Sequence, residues 1–244
     1  VLLPSLIVLN RLLKYTVNDS ILLSNVLLSD AVMFEMLFPK EASFVVKAYE
    51  EFTLQSATSI AERFGRDLDH ISRVSSVALE IYDKMKKLHG YKLRERTLLQ
   101  VSAILQDIGK YVNVKNHALL SYNTITNLDI VGINDHERLI IATVCYYHNG
   151  NIPSMDSPIY NQLSQEDRVM VSKLAAILQI SNAINTSHSP KFEQVNVNMK
   201  NGKLNIYLTT LKNINLEKWA FIAKSKLFRE VYGLNATIIK RGVL

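Results

Sequence analysis

The chain has 244 residues, of which 48% are hydrophobic and 20% charged, with 8 glycines and 5 prolines; this excludes a disordered, collagen-like or linker-dominated chain and leaves one large domain or two modest ones. Its single cysteine, Cys145, excludes an intramolecular disulfide framework and a multi-thiolate zinc site, and points to a reducing, cytoplasmic setting. The net charge of +6 is uneven, −1 over residues 1–190 and +7 over residues 191–244, so the C-terminal fifth either faces an anionic partner or is kept soluble by its lysines.

The opening run Val1 to Leu9 is apolar, but Asn10, Arg11 and Lys14 end it well short of the roughly 20 residues of a membrane helix. No basic region precedes it, so it does not read as a secretion signal, and no membrane partner is expected. Leu2, Leu6, Leu9 and Leu13 fall at helical spacing, Ile21 to Ser24 reads as a short strand, and residues 27–37 read as a second helix. Helix, strand and helix before Pro39 look like the tail of an α/β domain, assigned to residues 1–40.

Residues 41–190 read as an all-α domain. Leu68, Ile71, Val74, Ala78, Ile81, Met85 and Leu88 step by three and four residues up to Gly90. Further helices are predicted at about 95–106, 135–148 and 165–187, the last capped by Ser164 with Asp167 three residues on. The segment 149–163, with Gly150, Pro153 and Pro158, reads as a loop. After Pro190 the period changes: Val195 and Val197, the pair Asn201-Gly202, then Leu204, Ile206 and Leu208 predict a hairpin. A helix at about 215–232, ended by Gly233, and a strand at Ala236 to Ile239 complete a small α+β cap over residues 191–244. That cap coincides with the basic segment.

Four places set ionisable residues into apolar helices: His70 with Arg73, the run Gln106-Asp107-Ile108-Gly109-Lys110, His148, and Asn182. Cys145 sits inside an apolar helix without a partner arrangement for nucleophilic catalysis, and reads as core. His89, His136 and His188 lie in polar surroundings at helix ends and read as solvated; Tyr111, Tyr146, Tyr147 and Tyr160 read as core or rim aromatics. His148 is open between a satisfied structural histidine and a phosphate contact. Asp107 is open between a helix-end carboxylate, bonded to His70 or backbone amides, and a catalytic base. Arg73 and Lys110 either hold a phosphate or pair with Asp107 at the rim.

The order of these residues resembles the metal phosphohydrolases of the HD-domain type, in which a histidine, then a His-Asp pair, then an aspartate lie on successive helices. His70 precedes Gln106 by 36 residues and Asn182 follows Asp107 by 75. More narrowly, the chain resembles the C-terminal half of the exopolyphosphatase/guanosine-pentaphosphate phosphatase (Ppx/GppA) family. The matching pieces run from His70-Ile71-Ser72-Arg73-Val74 through Glu95 to Leu99, Ala103 to Gly109, Ser121-Tyr122 and Tyr147-His148, to Asp167-Arg168 and Leu174 to Leu178. The resemblance implies an HD-like helical bundle, preceded by the end of an actin-like ATPase-fold domain and followed by a small cap. It also implies a polyphosphate or guanosine penta/tetraphosphate ligand, a homodimer, and hydrolysis by an upstream actin-like catalytic domain with glycine-rich phosphate loops. This sequence has no such loop.

The departures from the pattern bear on chemistry. Gln106 replaces the histidine of the His-Asp pair, Asn182 replaces the closing aspartate, and Asn185 replaces an acidic residue just after it. His117 is retained in the turn before Ser121, but Leu120 stands where another histidine would be. The inherited metal set is therefore His70, Gln106, Asp107 and Asn182, two strong ligands and two uncharged amides. Divalent metals favour carboxylates and neutral imidazoles, so no cofactor is expected at this set beyond a weak magnesium or manganese ion, and the chain alone is expected to be inactive. Arg73, Lys110, His117 and His148 are the expected phosphate contacts. The alternative is a weak metal-dependent phosphohydrolase of the HD type. The lysines and arginine of the cap (Lys200, Lys203, Lys212, Lys218, Lys224, Lys226 and Arg229) supply a row of charge for a polyanion if they share a face.

Overall fold

The computed structural model describes residues 2–16, 32–33, 36–37, 43–187, 189, 191–192, 194–200 and 202–242. The chain divides into two compact units, Val1–Lys47 and Ala48–Leu244. In the first, α1 (Leu2–Tyr15) bears out the helix read from the leucine spacing; the strand expected at 21–24 lies outside the described residues, as does most of the helix expected at 27–37.

The second unit is mainly helical and closes on a three-stranded sheet. Helix α2 (Ser43–Arg63) buries Ala57, Ile60 and Ala61. Helix α3 (Leu68–Lys84) starts where Asp67 accepts from the amides of Asp69 and His70, at 3.0 and 3.1 Å, and its buried stripe includes His70, Ile71, Val74, Val77, Ala78 and Ile81. A further turn, α4 (Lys86–His89), ends at Gly90, whose φ of 73° is the left-handed stop that the sequence announced.

Helix α5 (Leu93–Leu105) leads into a 3-10 turn (Ile108–Tyr111) and α6 (His117–Ile125). Neither of the last two was foreseen, because short segments with a polar start carry little periodicity. Helix α7 (Asp135–Tyr147) opens with a reciprocal cap between Asn134 and Glu137, and Arg94 on α5 clamps the same carboxylate at 2.6 Å while reaching the Gly132 carbonyl at 2.7 Å. The expected loop at 149–163 contains one helical turn, α8 (Pro158–Asn161), because proline after Ser157 presets the backbone of a first turn. Helix α9 (Gln165–Ile184), capped by Ser164 as expected, is buried from Leu174 to Ser181 without interruption and forms the centre of the bundle.

In the cap, β1 (Gln194–Lys200) and β2 (Lys203–Thr209) pair antiparallel with Val197 opposite Ile206. Gly202 supplies the positive φ, 67°, for the tight turn. Helix α10 (Asn215–Tyr232) crosses over to β3 (Asn235–Arg241), which pairs parallel to β2. Alternation puts Leu204, Ile206 and Leu208 on the buried face. Helix α10 packs on α9, so cap and bundle share one core. Among the described residues no helix is long and apolar enough to cross a membrane.

Candidate functional site

The site forms where α5 ends. The chain leaves α5 at Gln106 and turns at Asp107 into the 3-10 segment, which lies hard against the start of α6. Gly109 makes that approach feasible: a Cβ there would stand 2.3 Å from the His117 carbonyl oxygen and 2.5 Å from the Ser121 amide nitrogen. Ser121 locks the corner, accepting from the Gly109 amide at 2.9 Å and donating to the Gln106 carbonyl at 2.8 Å. The sequence run 106–110 thus has a steric reason for its glycine, and the result is to set Asp107 beside His117.

Three ligating atoms converge there. Asp107 Oδ1 lies 3.3 Å from His148 Nε2 and 3.7 Å from His117 Nε2, and the two Nε2 atoms are 3.3 Å apart. All three residues are buried. His117 Nδ1 faces the Val114 carbonyl oxygen at 2.7 Å, and His148 Nδ1 faces that of Cys145. A carbonyl only accepts, so in both rings Nδ1 carries the proton. The other Asp107 oxygen accepts from Lys110 Nζ at 2.8 Å. Burial works to raise the Asp107 pKa, but His148, when its ring is protonated at both nitrogens, and Lys110 outweigh burial and hold it well below the usual carboxylate range. Burial, followed by the neighbouring His148, lowers that of His117 and favours its neutral ring.

On its other side Asp107 lines a cavity of about 260 Å³ with Gly65, Arg66, Asp67, His70, Gln106 and Lys110. Gln106 is only 1% exposed, and its side-chain oxygen and nitrogen both lack hydrogen-bond partners. An unpaired buried amide costs on the order of 1–3 kcal/mol per group, so this cavity wall is built to be completed by something polar. Arg66 is half-buried and spends Nε on the Phe64 carbonyl at 3.1 Å.

The structure therefore brings together His70, Gln106, Asp107 and Lys110 around one cavity, with His117 and His148 behind Asp107. Asn182, half-buried near the end of α9, is not among the cavity's lining residues. Arg73 lines a separate groove of about 400 Å³ with Glu80, Phe192 and Asn196. Of the alternatives open for Asp107 and Lys110, their mutual pairing is observed.

Arg66 was missed by the sequence reading; its signal was the Gly65-Arg66-Asp67 step before α3. Lys224, read as part of a surface row, is instead half-buried: its Cγ lies 3.7 Å from where a Cβ on Gly150 would stand, burial lowers its pKa, and it feels the charges of Asp107 and Lys110. His89 is a correction. Expected in solvent, it is 5% exposed, because the α4 turn folds it under Tyr82 and Tyr91. His136 does stay exposed, donating from Nε2 to the Asp167 carboxylate at 2.9 Å, and His188 lies outside the described residues. Cys145 is fully buried as expected, its thiol donating to the Ser102 carbonyl at 3.3 Å.

A family model described as Ppx/GppA phosphatase, domain III, covers residues 54–227, from the middle of α2 to well into α10. It spans both the bundle that carries the cavity and most of the basic cap.

Proposed function

The chain belongs to the Ppx/GppA phosphatase family, and from that premise we propose that it is a polyanion-binding region of an exopolyphosphatase-related protein. In this reading the cavity receives a terminal phosphate of polyphosphate or of guanosine penta/tetraphosphate. Hydrolysis is carried out by an actin-like catalytic domain of the kind the family resemblance implies, in a cytoplasmic homodimer. The exposed lysines of the cap extend the contact along the phosphate chain, with counterion release supplying much of the affinity.

The observation that carries this reading is Gln106. A terminal phosphate bearing one proton presents both a donor and acceptors, which matches an amide with both ends unpartnered. Arg66 and Lys110 on the same wall supply positive charge, and His70 lines that wall beside them.

Titration calorimetry with tripolyphosphate and with guanosine tetraphosphate tests it. Replacing Gln106 by Leu or Arg66 by Ala is expected to weaken binding tenfold or more, and raising salt is expected to weaken it further. Equal binding by wild type and both variants would sink the reading. A second reading, a weak metal-dependent phosphohydrolase, is favoured by the convergence of Asp107, His117 and His148. It requires phosphate release that depends on added divalent metal and disappears in Asp107→Ala.

A further inference from the structure

We propose that Asp107, His117 and His148 form a three-ligand site for a divalent transition metal of the zinc-like, tetrahedral class. This ligand set differs from the one inherited in the sequence pattern: it shares Asp107 alone with His70, Gln106 and Asn182. The inference does not depend on which phosphate compound, if any, enters the cavity.

Spacing is the first argument. A tetrahedral ion with bonds of about 2.0–2.1 Å needs its ligand atoms about 3.4 Å apart. Asp107 Oδ1, His117 Nε2 and His148 Nε2 stand 3.3, 3.3 and 3.7 Å from one another. Octahedral magnesium at about 2.1 Å would bring neighbouring ligands to about 3.0 Å and would prefer oxygen throughout. Two imidazoles and one carboxylate are instead the donors that zinc, cobalt and their neighbours accept.

Protonation is the second. Both rings place their proton on Nδ1, where a backbone carbonyl accepts it. That is the arrangement by which outer partners orient metal-bound histidines. It leaves two Nε2 lone pairs and a carboxylate oxygen, with no hydrogen among them, turned toward a common point. Asp107 Oδ1 is buried and has no hydrogen-bond partner. Three electron-rich atoms at these distances repel one another unless a cation lies between them. The rival occupant is an extra proton, which would make one ring an imidazolium. Lys110 already neutralises the carboxylate through its other oxygen.

The site is built from three separate elements: the α5 corner, the start of α6 and the end of α7. The Gly109 approach and the Ser121 bridge hold the first two in register. A fourth tetrahedral position is left for water or a ligand oxygen, and Asp107 makes the triad the neighbour of the Gln106 cavity.

Metal-stripped protein titrated with cobalt(II), without any phosphate compound, tests the proposal. The expected result is one ion per chain, with the intense visible absorption of tetrahedral cobalt, displaced by one equivalent of zinc(II). His117→Ala and Asp107→Ala should each weaken the ion at least 100-fold, since loss of outer partners alone costs 10–100-fold. Arg73→Ala, whose side chain lines the separate groove, should bind as wild type. Circular dichroism of the metal-free variants checks that they keep the helical fold. If His117→Ala fails that check, His117→Gln serves in its place, and cobalt binding by the folded wild type remains decisive. No stoichiometric ion, an octahedral spectrum, or binding indifferent to these substitutions would overturn the assignment. Phosphate binding that persists in the absence of any metal would leave the function proposed above standing on its own.

Discussion

Two buried histidines in the same bundle show what separates a structural ring from a chemical one. His89 closes the α4 turn with both nitrogens spent, Nε2 donating to the Tyr82 carbonyl at 2.9 Å and Nδ1 accepting from the Tyr91 amide at 3.0 Å. His148 closes α7 with one nitrogen on a carbonyl and the other facing His117 and Asp107. Both are withdrawn from water and both sit at a helix end; burial alone does not distinguish them. The partner of the second nitrogen does.

The largest expected way to break that contrast is Gly109→Ala. The added methyl meets backbone atoms at 2.3 and 2.5 Å, so the corner that delivers Asp107 to the histidines has to move. A loss of about 3 kcal/mol or more in thermal or urea unfolding is expected; a change below about 1 kcal/mol would mean the corner is not set by contact with α6. Next comes Asp107→Asn, expected to cost about 2 kcal/mol at neutral pH by leaving Lys110 and the buried corner without their charge. Because the folded pKa of Asp107 is depressed, its contribution is fully present above the unfolded value of about 4 and is lost as pH falls below it. The gap between variant and wild type should therefore shrink steadily as pH is lowered below about 4 in urea titrations, closing only where the folded carboxylate itself takes up a proton, and a constant gap at all pH values would contradict this.

His89→Gln sharpens the other half of the comparison and should cost about 1–2 kcal/mol, from the two backbone contacts it disturbs. Burial lowers the folded pKa of His89. The unfolded chain takes up its proton first, so this stability is present above about pH 6.5 and declines as pH falls through that value. The glutamine variant should show a flatter stability profile between neutral pH and pH 5. The smallest effect is expected far from either histidine, at the hairpin: Gly202→Ala, at a φ of 67°, should cost about 1 kcal/mol and leave cobalt titrations unchanged.

Much of this architecture is legible in the chain because strong periodicity and caps announce it. Ser164 and Asp167, Gly90, Gly233 and the alternating strands around Gly202 each mark a boundary that the structure keeps. The unforeseen elements, the 3-10 turn and α6, have no such period; they exist because Gly109 and Ser121 fit together in space across twelve residues of sequence. For the site, the sequence singled out Gln106, Asp107, His117 and His148 from a family pattern, but the pattern grouped Asp107 with His70 and Asn182. Which side of Asp107 each ring occupies depends on the packing of α6 and α7, and no spacing along the chain encodes that. Lys224 shows the same limit: a lysine in a basic stretch reads as surface until the packing around the Gly150 loop draws its side chain partly inward.

Helix α10 belongs to the cap by connection and to the bundle by packing. It buries Phe221, Leu227 and Phe228, and the Tyr232 hydroxyl donates to the Lys173 carbonyl of α9 at 3.2 Å. The basic tail is therefore not a detachable handle: cutting the chain near residue 190 would strip the central helix of its apolar cover and turn a stable unit into a sticky one.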